Sequence, residues 1–225
     1  WHQSLGGGYE HGAALPEPAT IPGSVNLPFE DMEKEETGEL LGRGSYGSVW
    51  VCKNDPTSVL KISDDNYDYA SFARELSVLA ACGNDHHAIV TPKSFYVNIQ
   101  EKQTKIKLER GKQTLSNFIR TCASTRAESC VEWEYIHASI VKTLAAGLNH
   151  LHSKGFAHRD FKTANVIMTV ELRELFNWEP LKKVLSIEKC VSPVLIIDFG
   201  LSRRVASDGI FCDEIPGGDN HPSCG

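Results

Sequence analysis

The sequence predicts an α+β fold in two parts, a β-rich first part and a mainly helical second part. Short runs of β-branched and apolar residues, bounded by Gly, Asn, Asp and Pro, occupy residues 39–62 and indicate antiparallel strands. Apolar residues at helical spacing follow in residues 135–155, which indicates a long helix. The chain has 225 residues, 41% of them hydrophobic, so it is large enough for one large domain or two lobes.

The first part contains five strand-like runs, "ELLG", "SVWVC", "SVLKI", "AIVTPKSFYVNI" and "TKIKLE". One helix is expected between the third and fourth runs, in "YDYASFARELSVLAACG". There, Phe72, Leu76 and Leu79 recur at i, i+4 and i+7, and Gly83 is a suitable stop. Five strands and one helix would form a small lobe, which we assign to residues 37–111.

The second part of the sequence has patterns that are typical of helices, and we assign it to a large lobe in residues 112–225. A short helix is expected in "TLSNFIRTCA" and a long one in "YIHASIVKTLAAGLNHLHSKG". The long helix carries an apolar stripe of Ile136, Ile140, Leu144, Leu148 and Leu151. Strands are expected in "VIM" and "PVLIIDFG", whereas residues 201–225 have no pattern. Residues 1–36 form a Gly/Pro-rich and acidic leader that we expect to be flexible.

Composition excludes several classes of function. The net charge of −6 argues against a dedicated nucleic-acid binder, which would need a basic surface. The seven cysteines are scattered without a C-x-x-C pair, which is typical of reduced thiols in an intracellular protein of the cytoplasm or nucleus. We find no apolar run that could span a membrane and no secretory leader. A metal site at Cys82, His86 and His87 is an alternative to the polar turn that we favour there.

A glycine-rich turn is the first motif with chemical meaning. The run "GRGSYGSV" places Gly42, Gly44, Gly47 and Val49 in the order G-x-G-x-x-G-x-V. Glycines let the N–H groups of a tight turn approach phosphate oxygens without an intervening Cβ atom. A dinucleotide-binding turn has similar spacing but opens a helix, whereas this turn leads into a strand. We therefore predict a hairpin that lies over a nucleotide; a hairpin without a ligand is the alternative.

A lysine interrupts one of the apolar strands. Lys61 lies within "SVLKI" and points either to solvent or inward to an acidic partner. An inward lysine needs such a partner because an unpaired buried charge is very costly. Glu75, on the predicted helix, is the candidate partner, although either residue taken alone suits a protein surface.

Two further segments carry candidate catalytic and metal-binding side chains. The run "HRDFKTANV" at residues 158–166 is polar between apolar neighbours. Asp160 could orient a hydroxyl group or accept its proton, Lys162 could neutralise a phosphate, and Asn165 could offer a neutral oxygen to a hard cation. Asp198 ends the buried-looking strand of "PVLIIDFG", where its carboxylate is a suitable magnesium ligand.

Taken together and in this order, these motifs resemble the eukaryotic-type protein kinase family. Besides the glycine turn, Lys61 and Glu75, the resemblance rests on His158-Arg159-Asp160-x-Lys162-x-x-Asn165 and Asp198-Phe199-Gly200, and it covers about residues 39–212. Lys162, two positions after Asp160, resembles the serine/threonine branch. The resemblance implies a bilobal protein-kinase-like fold and transfer of the γ-phosphate of Mg·ATP to a serine or threonine hydroxyl of a protein substrate.

The resemblance also implies a role for each site residue. The catalytic residues would be Lys61, which holds the α- and β-phosphates, Glu75, which positions it, and Asp160 and Lys162 beside the transferred phosphate. Asn165 and Asp198 would hold magnesium ions, and Leu108 would guard the back pocket. The ATP site would be formed by Leu41, Gly42, Arg43, Gly44, Ser45, Tyr46, Gly47, Ser48, Val49, Val59, Lys61, Glu109, Gly111 and Ile167. Among these, Val49 and Val59 would cover the adenine and Ile167 would be its floor, with backbone groups of Glu109 and Gly111 at its edge.

The chain departs from the family pattern in its large lobe. Asp160 and Asp198 are 38 positions apart, more than is usual in the family, and the surplus lies in residues 171–189. We interpret this segment as a surface insert of two short helices hinged at Pro180; a docking site for a partner is the alternative. The chain also ends before the family's substrate-docking loop, so we expect a truncated large lobe and an inactive fragment.

Two rival functions are considered. A pseudokinase or scaffold would bind nucleotide or partners without phosphotransfer, and a small-molecule kinase would share the fold. The presence of every residue that the chemistry requires favours an active protein kinase over the first rival. The complete glycine turn and the layout of "HRDFKTAN" disfavour the second.

Overall fold

The computed structural model confirms the α+β fold and the order of its main elements. It describes residues 36–44, 47–63, 69–83, 85–98, 103–124, 131–171, 192–205 and 211–212. The leader before Glu36, the glycine-turn residues Ser45 and Tyr46, and the insert beyond Glu171 lie outside the described residues.

The first part is a five-stranded antiparallel sheet, as predicted. Its strands, in the order β1-β2-β3-β5-β4, are β1 (Thr37–Gly44), β2 (Gly47–Cys52), β3 (Ser58–Ile62), β4 (Pro92–Asn98) and β5 (Gln103–Glu109). Val59 pairs with Leu108 and Lys61 with Ile106 across β3 and β5. Because side chains alternate along a strand, Val59 and Lys61 project from the same face of the sheet. Lys61 is thereby directed toward the face that carries the hydrophobic core.

One helix, α1 (Tyr69–Cys82), packs on this face of the sheet. The predicted apolar stripe is confirmed, since Phe72, Leu76 and Leu79 are all buried in the core with Val59. The helix ends where the sequence predicted, and the N–H of Gly83 donates to the carbonyl oxygen of Leu79.

The second part is built on two helices, α2 (Leu115–Ser124) and α3 (Val131–Ser153). The short strands around them are β6 (Gln113–Thr114), β7 (Phe156–Ala157), β8 (Val166–Met168), β9 (Val194–Ile196), β10 (Arg203–Val205) and β11 (Phe211–Cys212). They form two three-stranded sheets, in the orders β6-β8-β9 and β11-β10-β7. Within the described residues, no helix is both long and apolar enough to cross a membrane.

The apolar stripe of α3 is confirmed by burial. Ile136, Ile140 and Leu151 are buried, and Leu144 and Leu148 are partly buried against the core. The helix ends two residues before Gly155, which has φ +77 and is suited to this position because glycine adopts positive φ freely.

One expectation about the end of the chain was wrong. Residues 201–225 showed no pattern, yet β10 and β11 lie within them. Arg203 pairs with Ala157 of β7, and Arg204 pairs with Cys212 of β11. Strands of two or three residues are too short to show a period of two, so they are identified only by their pairing with other strands in the structure.

The glycine turn gives a test of the sheet. Gly47 has φ +130, and a Cβ atom added there would lie 2.1 Å from the carbonyl oxygen of Ile62. We expect Gly47→Ala to lower the free energy of unfolding by about 2 kcal/mol, because it forces both strain and separation of β2 from β3.

Gly42→Ala is the matched control for this substitution. A Cβ atom at Gly42 meets nothing within 4 Å, so its effect on stability should be under about 1 kcal/mol. Urea unfolding followed by circular dichroism measures both variants. Equal stability of the two would contradict the close approach of β2 to β3 at Gly47.

Candidate active site

The centre of the site is an ammonium group held between two carboxylates. The Nζ atom of Lys61 lies 2.8 Å from both carboxylate oxygens of Glu75 and 2.8 Å from Oδ1 of Asp198. The side chain of Lys61 is 17% exposed and that of Glu75 only 3%, whereas that of Asp198 is 34% exposed. The sequence placed these residues in β3, in α1 and after β9, and the structure brings all three together.

The electrostatics of this cluster fix the charge on the lysine. Burial by itself lowers the pKa of the Lys61 ammonium, but the carboxylates of Glu75 and Asp198 outweigh burial and raise the pKa above its ordinary value. Lys61 therefore stays protonated at neutral pH and offers a fixed positive charge. Such a charge, directed by a buried glutamate, is suited to holding phosphate oxygens.

The polar loop after β7 forms a second cluster. The Nζ atom of Lys162 donates to both carboxylate oxygens of Asp160, at 3.0 and 2.7 Å. The side-chain amide of Asn165 donates to Oδ2 of Asp160 at 2.8 Å and to its carbonyl oxygen at 2.9 Å. The hydrogen bond from Lys162, supported by that from Asn165, lowers the pKa of Asp160 below its ordinary value. The carboxylate is therefore ionised at neutral pH and oriented by two donors.

Backbone pairing places this loop beside Asp198. The N–H of Ile197 donates to the carbonyl oxygen of Asn165 at 3.0 Å, next to the antiparallel pair of β8 and β9. Asn165 precedes β8 and Asp198 follows β9, so both side chains belong to the same end of this pair.

The oxygens of Asn165 and Asp198 are of the kind that Mg²⁺ prefers. Among the described residues, no three His, Cys, Asp or Glu side chains form a group that could hold a metal ion. Two protein oxygens suit a magnesium ion that takes its other ligands from phosphates and water. The donor set therefore fits magnesium that arrives with a nucleotide.

A buried histidine connects the two segments. The Nδ1 atom of His158 accepts a hydrogen bond from the N–H of Asp160 at 3.3 Å, so its Nε2–H donates to the carbonyl oxygen of Ile197 at 3.0 Å. Burial lowers the pKa of His158, which favours this neutral form. His158 was predicted only as part of the motif that carries the family resemblance, and its role in joining the two segments was not predicted from the sequence.

Two residues of the site have strained backbone conformations. Arg159 has φ +65 and Asp198 has φ +66, in the left-handed region that non-glycine residues rarely adopt. Such conformations cost about 1–3 kcal/mol each and persist only where the surroundings hold them. The hydrogen bonds of His158 join the segments that contain these two residues.

The glycine-rich turn has the predicted form of a hairpin. β1 and β2 pair antiparallel, and Gly44 is opposite Gly47. Gly42 and Gly44 have open space where a Cβ atom would stand, so packing does not explain the absence of their side chains. Leu41 and Arg43 are exposed on β1, and Ser48 is buried.

The predicted adenine-binding residues lie in one cluster. Val59 and Leu108 are core residues, and Val49 and Ile167 are partly buried against the same core. Gly111 is held so close to Ile167 that a Cβ atom on it would lie 2.8 Å from the Cδ1 atom of Ile167.

The backbone around Gly111 is well anchored. The N–H groups of Glu109, Arg110 and Lys112 donate to carbonyl oxygens of Thr91, Thr57 and Met168. Within the described residues, no such bond is made by the N–H of Gly111. That N–H and the partly buried side chain of Ile167 suit the edge and the floor of a planar ring.

The sequence missed one contact between α1 and the segment after β9. The Nη2 atom of Arg74 donates to Oγ of Ser71 at 2.6 Å, and its Nε atom donates to the carbonyl oxygen of Gly200 at 3.4 Å. Two successive residues of α1 are therefore connected to the segment that contains Asp198. Arg74 contacts it directly, and Glu75 is connected to it through Lys61. An arginine on an amphipathic helix normally suits a solvated face, so this contact could not be predicted from the sequence.

Comparison with known proteins identifies the family. The family model described as the protein kinase domain matches residues 36–215, which is more than half of the chain. The chain therefore belongs to the protein kinase family, and its fold is the bilobal fold that the sequence predicted.

Individual relatives are similar at low identity. The chain is 28% identical over 171 residues to the MAP kinase-interacting serine/threonine-protein kinase mnk-1 of Caenorhabditis elegans, covering 73% of the chain and 22% of that protein. It is 29% identical over 157 residues to serine/threonine-protein kinase 4 homolog A of Dictyostelium discoideum, covering 64% of the chain and 32% of that protein. The matched part is thus between about a fifth and a third of the length of these relatives.

The ion cluster around Lys61 predicts a specific pattern of stability. Lys61→Met leaves the buried carboxylate of Glu75 without its counter-ion, which should lower the free energy of unfolding by about 3–5 kcal/mol. The double variant Lys61→Met with Glu75→Gln removes both charges and should recover at least about 1 kcal/mol of that loss. Urea unfolding at pH 7 measures both. A double variant no more stable than Lys61→Met alone would show that the pair is not coupled.

Proposed function

We propose that this protein is a serine/threonine protein kinase that transfers the γ-phosphate of Mg·ATP to a hydroxyl group of a protein substrate. The observation that carries the proposal is the position of Lys61 between Glu75 and Asp198. The loop of Asp160, Lys162 and Asn165 lies beside Asp198, because the N–H of Ile197 donates to the carbonyl oxygen of Asn165. Membership of the protein kinase family supports phosphotransfer as the type of reaction.

The nucleotide would lie between the glycine hairpin and the segment from Glu109 to Gly111. The open space at Gly42 and Gly44 supports this position, since phosphate groups can approach the backbone there. Lys61 would hold the α- and β-phosphates, and Asn165 and Asp198 would ligate magnesium ions that neutralise the phosphate charge.

Transfer itself would depend on positioning more than on covalent chemistry. Asp160 is ionised and has a lowered pKa, so it is a weak base that is well suited to orienting the acceptor hydroxyl and receiving its proton late in transfer. Lys162, which donates to Asp160 in this structure, would turn toward the γ-phosphate when the nucleotide binds. A basic group at this place stabilises charge on the transferred phosphoryl group.

The preference for serine and threonine rests on two observations. Lys162 is in the position that resembles the serine/threonine branch, and the relatives mnk-1 and kinase 4 homolog A carry that specificity in their names. The activity, substrates and partners of the whole protein belong to this proposal, because the chain matches only part of each relative. We expect an intracellular protein with a protein substrate and with neither a nucleic-acid nor a membrane partner.

Two rival proposals differ in their outcome. A pseudokinase or scaffold would bind nucleotide without transfer, and the intact set of Lys61, Asp160 and Asp198 disfavours it. A small-molecule kinase would not label protein hydroxyl groups. A docking role for the insert, residues 171–189, stays a separate proposal because these residues lie almost entirely outside the described residues.

Phosphotransfer by the full-length natural protein tests the proposal. We expect label from the γ-phosphate of ATP on serine or threonine of a generic protein substrate, with a loss of at least about 100-fold in Asp160→Asn. ATP binding should be retained in this variant, because Asp160 would contact the acceptor and not the nucleotide.

Glu134→Gln, which removes one exposed carboxylate of α3, is the matched control and should label the substrate at the wild-type rate. Nucleotide binding without labelling by the wild-type protein would favour the scaffold. Labelling only on tyrosine would refute the assignment to the serine/threonine branch.

A further inference from the structure

Three histidines form a stack of imidazole rings. His86 lies between the other two, with its ring centroid 4.6 Å from that of His87 and 5.0 Å from that of His150. The rings are nearly parallel, at 18° and 27°. His86 and His87 belong to the loop between α1 and β4, whereas His150 is in the last turn of α3. We refer to these three residues as the histidine stack.

The histidine stack lies where the loop after α1 is attached to the second part of the molecule. The N–H of Val90 donates to the carbonyl oxygen of Ile196, and the N–H of Ile196 donates to the carbonyl oxygen of Ala88. A Cβ atom on Gly147 of α3 would lie 3.1 Å from the Cβ atom of Ala88, so α3 and the loop are in close contact. This loop follows directly after α1, the helix that carries Glu75.

His86 and His150 are uncharged at neutral pH. The Nδ1 atom of His86 accepts a hydrogen bond from the N–H of Ala88 at 3.1 Å, which a doubly protonated ring could not do. Burial, and after it His87 and His150, lowers the pKa of His86 to about 4. Burial, and after it Lys154, lowers the pKa of His150, and its Nε2 atom is buried with no partner in the described part of the chain.

Three other ionisable groups around the stack, Asp85, Lys154 and Cys82, do not titrate between pH 5 and 8. Asp85 and Lys154 form an ion pair at 2.7 Å, and each holds the pKa of the other away from neutrality, lowered for Asp85 and raised for Lys154. Burial raises the pKa of the Cys82 thiol to about 11. His152, two residues after His150 on α3, is exposed.

We propose that the histidine stack is a pH-sensitive attachment between the loop after α1 and the end of α3, closed at neutral pH and weakened as the pH falls. Adding a proton to His86 breaks its hydrogen bond with Ala88 and places a charge against two other imidazole rings. The attachment then loosens, and α1 loses one of the contacts that hold Glu75 toward Lys61.

The direction of the pH effect follows from linkage. In the folded state, the pKa values of His86 and His150 lie below their ordinary value of 6.5. The unfolded chain therefore binds more protons between about pH 4 and 6.5, and the stability contributed at neutral pH is lost as the pH falls through this range. The effect on stability does not depend on the proposed kinase activity.

A metal site is the competing interpretation of the same residues. The nitrogen lone pairs of an imidazole lie in the plane of its ring, so the lone pairs of stacked rings do not converge on one point. Consistent with this, no metal-binding group of three such side chains is found in the ranges that the structure describes.

Hydrogen exchange of the full-length protein, followed by mass spectrometry, tests the proposal at the attachment itself. We expect protection of residues 85–98, corrected for intrinsic exchange, to fall at least tenfold from pH 7.5 to 5.5. His150→Phe retains a stacking ring and removes both the proton site and the unpartnered Nε2 atom. In this variant the fall should be smaller than in the wild type, because the contribution of His86 alone remains, and protection at pH 7.5 should be equal to or above that of the wild type.

Two further variants complete the test. His86→Asn keeps an acceptor for the N–H of Ala88 but cannot be protonated, so it should also reduce the fall. His152→Phe, an exposed position two residues from His150, should leave the tenfold fall unchanged. A wild-type fall that persists in both His150→Phe and His86→Asn would overturn the proposal. Protection that rises on addition of zinc to the wild type and not to His150→Phe would overturn it in favour of a metal site.

Discussion

The structure depends on one ammonium group that two carboxylates hold in a nearly buried position. Lys61 belongs to β3, Glu75 to α1, and Asp198 to the segment after β9, so a single charge fixes three elements that are far apart in the sequence. The arrangement is stable only while the ammonium and the carboxylates remain in contact, since an isolated charge in this position would be strongly disfavoured. Any movement of α1 away from the sheet therefore separates Glu75 from Lys61 and carries an electrostatic penalty.

The second constraint is the hydrogen bonding around His158. Its neutral ring joins the N–H of Asp160 to the carbonyl oxygen of Ile197, while Ile197 itself donates to Asn165. The candidate catalytic loop and the segment of Asp198 are thereby held as one unit, which stabilises the left-handed backbone of Arg159 and Asp198. The ion cluster connects this unit to the sheet, so the candidate phosphate, metal and hydroxyl-orienting groups have fixed relative positions.

The sequence predicted the parts of this arrangement that have a local signature. Alternation and turn residues predicted the five strands, and the spacing of Phe72, Leu76 and Leu79 predicted α1. The pairing of Lys61 with Glu75 was predicted from the cost of an unpaired buried lysine and from the family resemblance. Contacts without a local signature were missed: β10 and β11 are too short to show a period, and the contact of Arg74 with Gly200 joins residues that are distant in the chain.

The dependence of ATP affinity on magnesium tests the central claim most directly, because the claim is that Lys61 and Asp198 together form a site for a magnesium-bound nucleotide. Calorimetric titration of the full-length protein with ATP, with and without Mg²⁺, measures it. The account predicts saturable binding that Mg²⁺ strengthens at least tenfold, with most of this gain lost in Asp198→Asn. Absence of ATP binding, or a gain from Mg²⁺ that is equal in wild type and Asp198→Asn, would contradict it.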